Sequence, residues 1–316
     1  MIRMGIFAVD LKISEDIKNN INININVDIK EEIRRGTLYL VSTPIGNLSD
    51  ITLRAVYILS GVDLIAAEDT RVTRKLLHYF NINKPLVSYY EHNKTESGEN
   101  LIRQLRSGKC IALVSDAGTP GISDPGEDIV RQCVENDISI VPVPWATAMA
   151  SALIVSGMQT QRFVFEGFIP VNRNGRAEKL EKLRREERTM IFYEAPHKLL
   201  KTLKDMAINF GNRNIVLARE LTKKHEEIIR TTVSEAIRRC EEIPPKGEYV
   251  LILEGNAKNE NAGENDFTDE EIINIFNELK DICNDPKEAM KITAGKVNKP
   301  KREIYDLVLK NKNEGK

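Results

Sequence analysis

The chain has 316 residues, 41% of them hydrophobic and 29% charged, with a formal net charge of −1 at pH 7. That length can bury a large core and suggests two domains or subdomains, and the near-zero charge argues against nonspecific polyanion binding by the whole molecule. No apolar run is long enough to span a bilayer and the first residues lack a signal peptide's basic-then-apolar order, so the expectation is a soluble cytoplasmic protein with no membrane partner.

Residues 1–35 contain NNINININVDIK, a strand-like alternation with no companion strand, and read as a disordered N-terminal tail or as an extension upstream of the true start. From Gly36 the texture changes. TLYLVS (37–42), VDLIAAE (62–68), CIALVSD (110–116) and ISIVPVP (138–144) are short apolar runs, separated by helical patterns at 51–60, 70–80, 96–107 and 126–136. This alternation predicts a mostly parallel sheet covered on both faces, an N-terminal α/β domain over 36–145. A helix at 146–157 leads into a second set of runs at 163–168, 189–195, 214–220, 226–232 and 249–255, with helices near 176–187, 197–209 and 233–242. These give a C-terminal α/β domain over 146–256, and the fold class is α/β with a ligand cleft between two subdomains. Residues 257–316 read as an acidic linker followed by a basic helical appendix; TDEE at 268–271 has the form of a helix N-cap with acidic first-turn residues. The appendix cations suit either phosphate contacts or a solvated face. Cys110, Cys133, Cys240 and Cys283 are widely spaced without a C-x-x-C pair, which disfavours disulfides or a cysteine zinc site and leaves them as small buried hydrophobes.

Ligands of doubly wound sheets bind beyond the strand carboxyl ends, so the loops after the first runs carry the chemistry. STPIGNLSD (42–50) makes a tight turn at Pro44 and Gly46 and offers Asn47, Ser49 and Asp50; it has neither a G-x-G-x-x-G pattern nor a Walker lysine, which disfavours dinucleotides and nucleoside triphosphates. EDTRVTR (68–74) crowds two carboxylates and two guanidinium groups at a helix start, where ordinary dipole and ion-pair stabilisation is the plain alternative to function. SDAGTPGISDPG (115–126) holds three glycines, two prolines and two Ser-Asp pairs in twelve residues, far more than a connection of two to six residues requires. Backbone there must approach something closely. No cluster of His, Cys and acids has metal spacing, so no metal is expected.

TPIGNLSDITLRA, AAEDTR, SDAGTPGISDPG, YEAPHK and ARELTKKHEE, in this order and spacing from Gly36 to Gly255, resemble the ribosomal RNA small subunit methyltransferase I family of the tetrapyrrole methylase-like superfamily; KREIYDLVL near the end is a weaker echo. The resemblance implies a two-domain class III methyltransferase and homodimer that binds S-adenosylmethionine between its domains. It also implies methyl transfer to the ribose 2′-oxygen of the cytidine numbered 1402 in 16S ribosomal RNA of the small ribosomal subunit. Pro44, Gly46, Asn47, Ser115, Asp116, Ala117, Gly118, Ile122, Ser123, Thr147 and Phe168 would then surround the cofactor. Glu68, Asp69, Arg71 and His92 would form the catalytic set; Glu68, Asp69, His92 and Asp116 are the candidates for a general base, and Arg71, Arg74, Lys223 and Lys224 suit RNA phosphates. His197 reads as a helix-start or pocket-lining residue. Sister activities on a tetrapyrrole or a modified histidine, and a noncatalytic RNA-binding protein, stay open at this level. One departure stands out. Family sequences carry Gly-Pro-Ser-Ala after the proline matching Pro144, whereas this chain has Trp145, Ala146, Thr147 and Ala148. Thr147 keeps the hydroxyl, while Trp145 either packs between the domains or fills part of the pocket, strained if its φ is positive.

Overall fold

A computed structural model describes residues 32–256, 267–283, 285–297 and 299–314. The tail reading falls on residues 1–31, outside the described residues, and every described helix and strand belongs to the unit Ile33–Lys316. Arg34 already belongs to the folded body, since its amide donates to the Tyr39 hydroxyl (2.8 Å) and its carbonyl accepts from the Cys110 thiol (3.1 Å).

The first half comprises β1 (Thr37–Val41), α1 (Leu53–Gly61), β2 (Leu64–Ala67), α2 (Thr70–Tyr79), β3 (Leu86–Ser88), α3 (Lys94–Arg106), β4 (Ile111–Val114), α4 (Glu127–Glu135) and β5 (Ser139–Val143). Its strands form an all-parallel sheet in the order β3-β2-β4-β1-β5. Alternation along each strand divides the side chains between two layers. Tyr39, Val41, Ile65, Ala67, Ala112 and Val114 pack with Ala55, Ile58 and Leu59 of α1 and Leu77 of α2, while Leu38, Leu64, Ala66, Ile111 and Leu113 pack with α3 and α4 through Leu101, Leu105, Ile129 and Cys133. Both faces are covered, which is why LIAA and IALV are continuous apolar runs. The edge strand β3 is absent from the sequence reading, because three half-exposed residues after Pro85 carry no usable period.

The helix α5 (Ala148–Ser156) connects to the second half, which comprises β6 (Phe163–Phe168), α6 (Arg173–Leu183), β7 (Thr189–Glu194), α7 (Pro196–Phe210), β8 (Asn214–Arg219), β9 (Glu227–Thr232), α8 (Val233–Glu242) and β10 (Tyr249–Leu253). This sheet runs β6-β7-β10-β8-β9 and is mixed, with only β6 and β7 parallel. Its layers separate in the same way: Met190, Phe192, Leu217 and Leu251 face α6, α7 and α8, and Ile191, Val216, Val250 and Ile252 face Ala152 and Leu153 of α5. Cys110, Cys133 and Cys240 are free and buried, as the spacing implies; the Cys283 side chain lies outside the described ones.

Residues 267–283 correct the linker reading. Acidic composition there belongs to a helix, α9 (Asp269–Cys283), that shares a core with α10 (Pro286–Lys296) and α11 (Lys301–Glu314) through Ile272, Phe276, Ala289, Val297, Ile304 and Val308. The start of α9 is a capping box, as TDEE predicts: the Thr268 hydroxyl accepts from the Glu271 amide (3.3 Å) and the Glu271 carboxylate accepts from the Thr268 amide (2.8 Å). The three helices dock on α7 near Ile208.

Beneath α6 and α7, Glu194 at the end of β7 accepts from the Ala195 amide and the Thr202 hydroxyl, and Arg176 donates to Thr202 and pairs with Asp205. Removing one member of such a buried set leaves the others desolvated without partners. Arg176→Met is therefore expected to lower the unfolding free energy by about 2–4 kcal/mol, read as a reduced denaturation midpoint in urea. A change within experimental error would mean that the guanidinium is not integral to this packing.

Candidate functional site

The carboxyl ends of β2, β4 and β1 lie side by side, with β4 in the middle, so the three unusual loops that succeed them converge on one sheet edge. They are joined to each other. After β4 the chain doubles back, and Thr43 and Gly118 exchange both backbone hydrogen bonds (Thr43 N to Gly118 O, 2.8 Å; Gly118 N to Thr43 O, 3.1 Å). The Ser42 and Thr119 hydroxyls lie 2.9 Å apart, and buried Thr43 donates its hydroxyl to the Ser115 carbonyl (3.2 Å). On the other side of β4 the Asp69 amide donates to the Asp116 carboxylate (2.9 Å), while the Asp116 amide donates to Glu68. Loop 115–126 is thus clamped between its neighbours, with Ser115, Asp116, Ala117 and Gly118 in the clamp and Ile122 and Ser123 at its tip.

The acids in this cluster are not equivalent. Asp69 caps α2 through the Arg71 amide (2.8 Å) and binds the Arg71 guanidinium in a fork (3.0 and 2.6 Å), which holds its carboxyl down at about 2. Such a group is a poor proton acceptor at neutral pH. Glu68 is shifted the other way, by burial first and then by the charge of Asp116. Asp124 is pushed up to about 6 by burial and by Glu68, against the Ser115 hydroxyl that hydrogen-bonds it. Asp124 is absent from the residues singled out by sequence, although the second Ser-Asp pair of SDAGTPGISDPG is its signal. His92 lies beyond the edge strand β3, exposed; its ring meets Tyr90 edge-on at 6.4 Å and, among the described residues, it makes no hydrogen bond with the three loops.

The second half of the chain closes on this edge at Gly46 and at Ser123, and a third contact ties the start of α5 to the second sheet. Gly46 sits under the β8–β9 turn: a Cβ there would lie 2.5 Å from Lys223 Cγ and 2.9 Å from the Leu221 carbonyl oxygen. The close approach at Gly46 is therefore to the β8–β9 turn, to both the Lys223 side chain and the Leu221 carbonyl. That turn is itself strained, with Glu220 and Thr222 at φ +49° and +65° and the buried Thr222 hydroxyl unpartnered. At the second point the bulge in β6 sets Gly167 against Ser123, where a Cβ would come 3.1 Å from the Ser123 hydroxyl. Third, the Met149 amide in the first turn of α5 donates to the Tyr193 hydroxyl (3.2 Å), and Tyr193 packs edge-on against Phe165 and against half-exposed Phe168 (centroids 5.0 and 5.6 Å). Asn47 caps the short 3-10 turn Leu48–Asp50, and Thr147 stands at the N-cap of α5 with no capping bond from its hydroxyl.

Trp145 is 39% exposed and is not among the positive-φ residues, so its backbone is unstrained and its ring is not enclosed between the halves. Lys223 is held by Glu220 (3.0 Å) and Glu248 (2.7 Å), which makes it part of the turn's own scaffold, whereas Lys224 is exposed. His197 lies exposed in the first turn of α7 behind Pro196. A groove of about 820 Å³ opens at the opposite edge of the second sheet, beside Thr189, Asn214, Thr232 and Glu254, and contains none of the three loops. Its one guanidinium, Arg230, is occupied with the Val155 and Ser156 carbonyls at the end of α5. The converging loops, with their unevenly shifted carboxylates, are the better candidate.

A family model described as Tetrapyrrole (Corrin/Porphyrin) Methylases matches residues 37–237. The chain is 46% identical over 281 residues to a Ribosomal RNA small subunit methyltransferase I of Synechocystis, a match that covers 89% of this chain and 100% of that protein. A protein of the same name from Thermotoga maritima is 46% identical over 220 residues, 70% of this chain and 99% of that one. A solved uroporphyrin-III C-methyl transferase from Thermus thermophilus, complexed with S-adenyl homocysteine, superposes with a TM-score of 0.51 at 15% identity, over 69% of this chain and 97% of that one, and shares the fold. The described helices include none long and apolar enough to cross a membrane. By both its family match and its full-length relatives, the chain belongs to the tetrapyrrole methylases and, within them, to the ribosomal RNA small subunit methyltransferase I family.

Proposed function

We propose that the protein is a methyltransferase that uses S-adenosylmethionine to methylate the ribose 2′-oxygen of a cytidine in 16S ribosomal RNA, acting on the small ribosomal subunit in the cytoplasm as a homodimer. The observation that carries the reading is the convergence of the three loops at one sheet edge, in a chain whose relatives bear that name along their whole length. We read residues 36–145 and 146–256 as the two domains and the contact zone between them as the cofactor cleft. Its polar groups fit the cofactor: Asp116, Ser123 and Thr147 offer carboxylate, hydroxyl and backbone groups to an amino acid and a ribose, Phe168 offers an aromatic face, and buried Ser115 orients Asp124 beneath them. Glu68, Asp116 and Asp124 together supply negative potential suited to a sulfonium cation. Within the expected cofactor set, Pro44 and Gly46 act by shaping the turn under Leu221, and Asn47 by capping the short helical turn after it.

S-adenosylmethionine supplies the methyl group, whose bond to sulfur breaks as the ribose oxygen attacks. The residues of the chain have two tasks. Holding donor and acceptor in line is the larger, on the order of 7–11 kcal/mol of barrier for a well-placed pair. The second is to take the hydroxyl proton, a role we assign to Asp124 with Glu68; Asp69 is unsuited to it because its oxygens are engaged by Arg71. Arg71, with an 84% exposed side chain oriented by Asp69, is placed to meet an RNA phosphate, together with Arg74 and Lys224. His92, apart from the carboxylates, is a contact for the RNA rather than a base.

The direct test is transfer of a labelled methyl group from S-adenosylmethionine to small subunits lacking the modification, and then mapping of the label. A single 2′-O-methylated cytidine is expected; label on a base, or on no RNA, would refute the assignment. The proton acceptor has its own signature. Asp124 is ionised above about pH 6 and protonated below it, so the single-turnover rate should fall as pH drops through 6. Asp124→Asn should lose that limb and about a hundredfold in rate while still binding S-adenosylhomocysteine in calorimetry, whereas an unchanged profile would transfer the role elsewhere.

A further inference from the structure

The three C-terminal helices lie outside the matched family region and outside the cleft. Charge is segregated among them: α9 has five acidic residues and one lysine, whereas α10 and α11 together have seven basic and four acidic. Lys287, Lys291, Lys301, Arg302 and Lys310 are exposed, and none makes an ion pair among the described residues. The one acid at the start of α11, Glu303, is neutralised by Lys299 (2.9 Å). Tyr305, 53% exposed, lies one turn along from Arg302 on the same helix. Asp306 is the exposed acid one turn from both Arg302 and Lys310, but cations outnumber acids on these two helices, and their excess next to an exposed aromatic ring suits a phosphate backbone with accessible bases or sugars and forms a poor surface for a basic protein partner.

Two further observations separate this face from the reaction. The Thermotoga relative is filled to 99% by 220 matched residues, and the two sheets span Thr37–Leu253, so that protein has no length left for three more helices. The unit docks near Ile208, at the end of α7 remote from the loops; the fifteen residues of α7 amount to about 22 Å. An RNA touching both surfaces must extend well beyond one nucleotide.

Resting on the function proposed above, we propose that the exposed face of α10 and α11 is a second RNA-binding surface, which grips backbone phosphates of the small-subunit ribosomal RNA away from the target ribose. It adds affinity for the subunit and takes no part in methyl transfer. The test compares the full chain with its Lys301→Gln, Arg302→Gln, Lys310→Gln triple variant in equilibrium binding to purified small subunits over a range of KCl concentrations. Loss of these contacts should weaken binding about tenfold and make the plot of log affinity against log salt shallower by about two. Thermal stability, S-adenosylhomocysteine affinity and the rate at saturating subunits should stay unchanged. Equal affinity and slope in the two proteins would overturn the proposal, as would weaker binding with an unaltered slope, the mark of a protein contact. Lys310→Glu alone should shift both quantities in the same direction. The binding comparison is decisive even if the wild-type protein transfers no methyl group, an outcome that would count against the proposed reaction alone.

Discussion

Two backbone hydrogen bonds between Thr43 and Gly118 hold the site together. In a parallel sheet the loops after neighbouring strands emerge at one edge but are otherwise independent, and a twelve-residue segment such as 115–126 would be costly to order in isolation. By turning back after β4 and pairing with the loop after β1, this segment gains a short stretch of antiparallel ladder outside the sheet. The Ser42–Thr119 and Asp69–Asp116 contacts extend the clamp to both sides. The positions of Ser115, Asp116, Ser123 and Asp124 all depend on it.

The same clamp sets the electrostatics. Bringing the loops after β2 and β4 together forces Glu68, Asp116 and Asp124 into one another's field, and partial burial raises the cost of ionising the first and last. Asp69, one residue along from Glu68, escapes because it caps a helix and chelates Arg71. Adjacent acids thus differ sharply: one is tied to a guanidinium, the other left poised. The second half of the chain completes the enclosure with a glycine at two of its contacts, Gly46 under the β8–β9 turn and Gly167 against the tip of the 115–126 loop. These are positions where a methyl group would push against backbone or against the site itself.

Much of this is legible in the residues. Runs of apolar, β-branched sequence locate every strand but β3, and the density of Gly, Pro and Ser-Asp pairs locates the loop that the structure clamps. Pairwise geometry is less legible. The mixed character of the second sheet arises from β8 and β9 being joined by a short turn without a helix, a reversal that the apolar runs alone do not disclose. The role of Gly46 is hidden, because its partner Leu221 lies far along the chain and only the fold brings them together. The second Ser-Asp pair marks Asp124, but its raised pKa is hidden for a similar reason: its burial and its neighbour Glu68 are tertiary facts. At 267–283 the TDEE cap announces the helix, but its packing role, with Ile272, Phe276 and Leu279 on the inner face, is obscured by the charges around them.

If the clamped loops are the centre of the chemistry, the cofactor binds at the edge they share and not in the groove at the far end of the second sheet. A crystal structure of the protein soaked with S-adenosylhomocysteine tests this most directly. Electron density for the ligand is expected between the 115–124 segment, Thr147 and Phe168; density seated instead beside Thr189, Asn214 and Arg230 would contradict it.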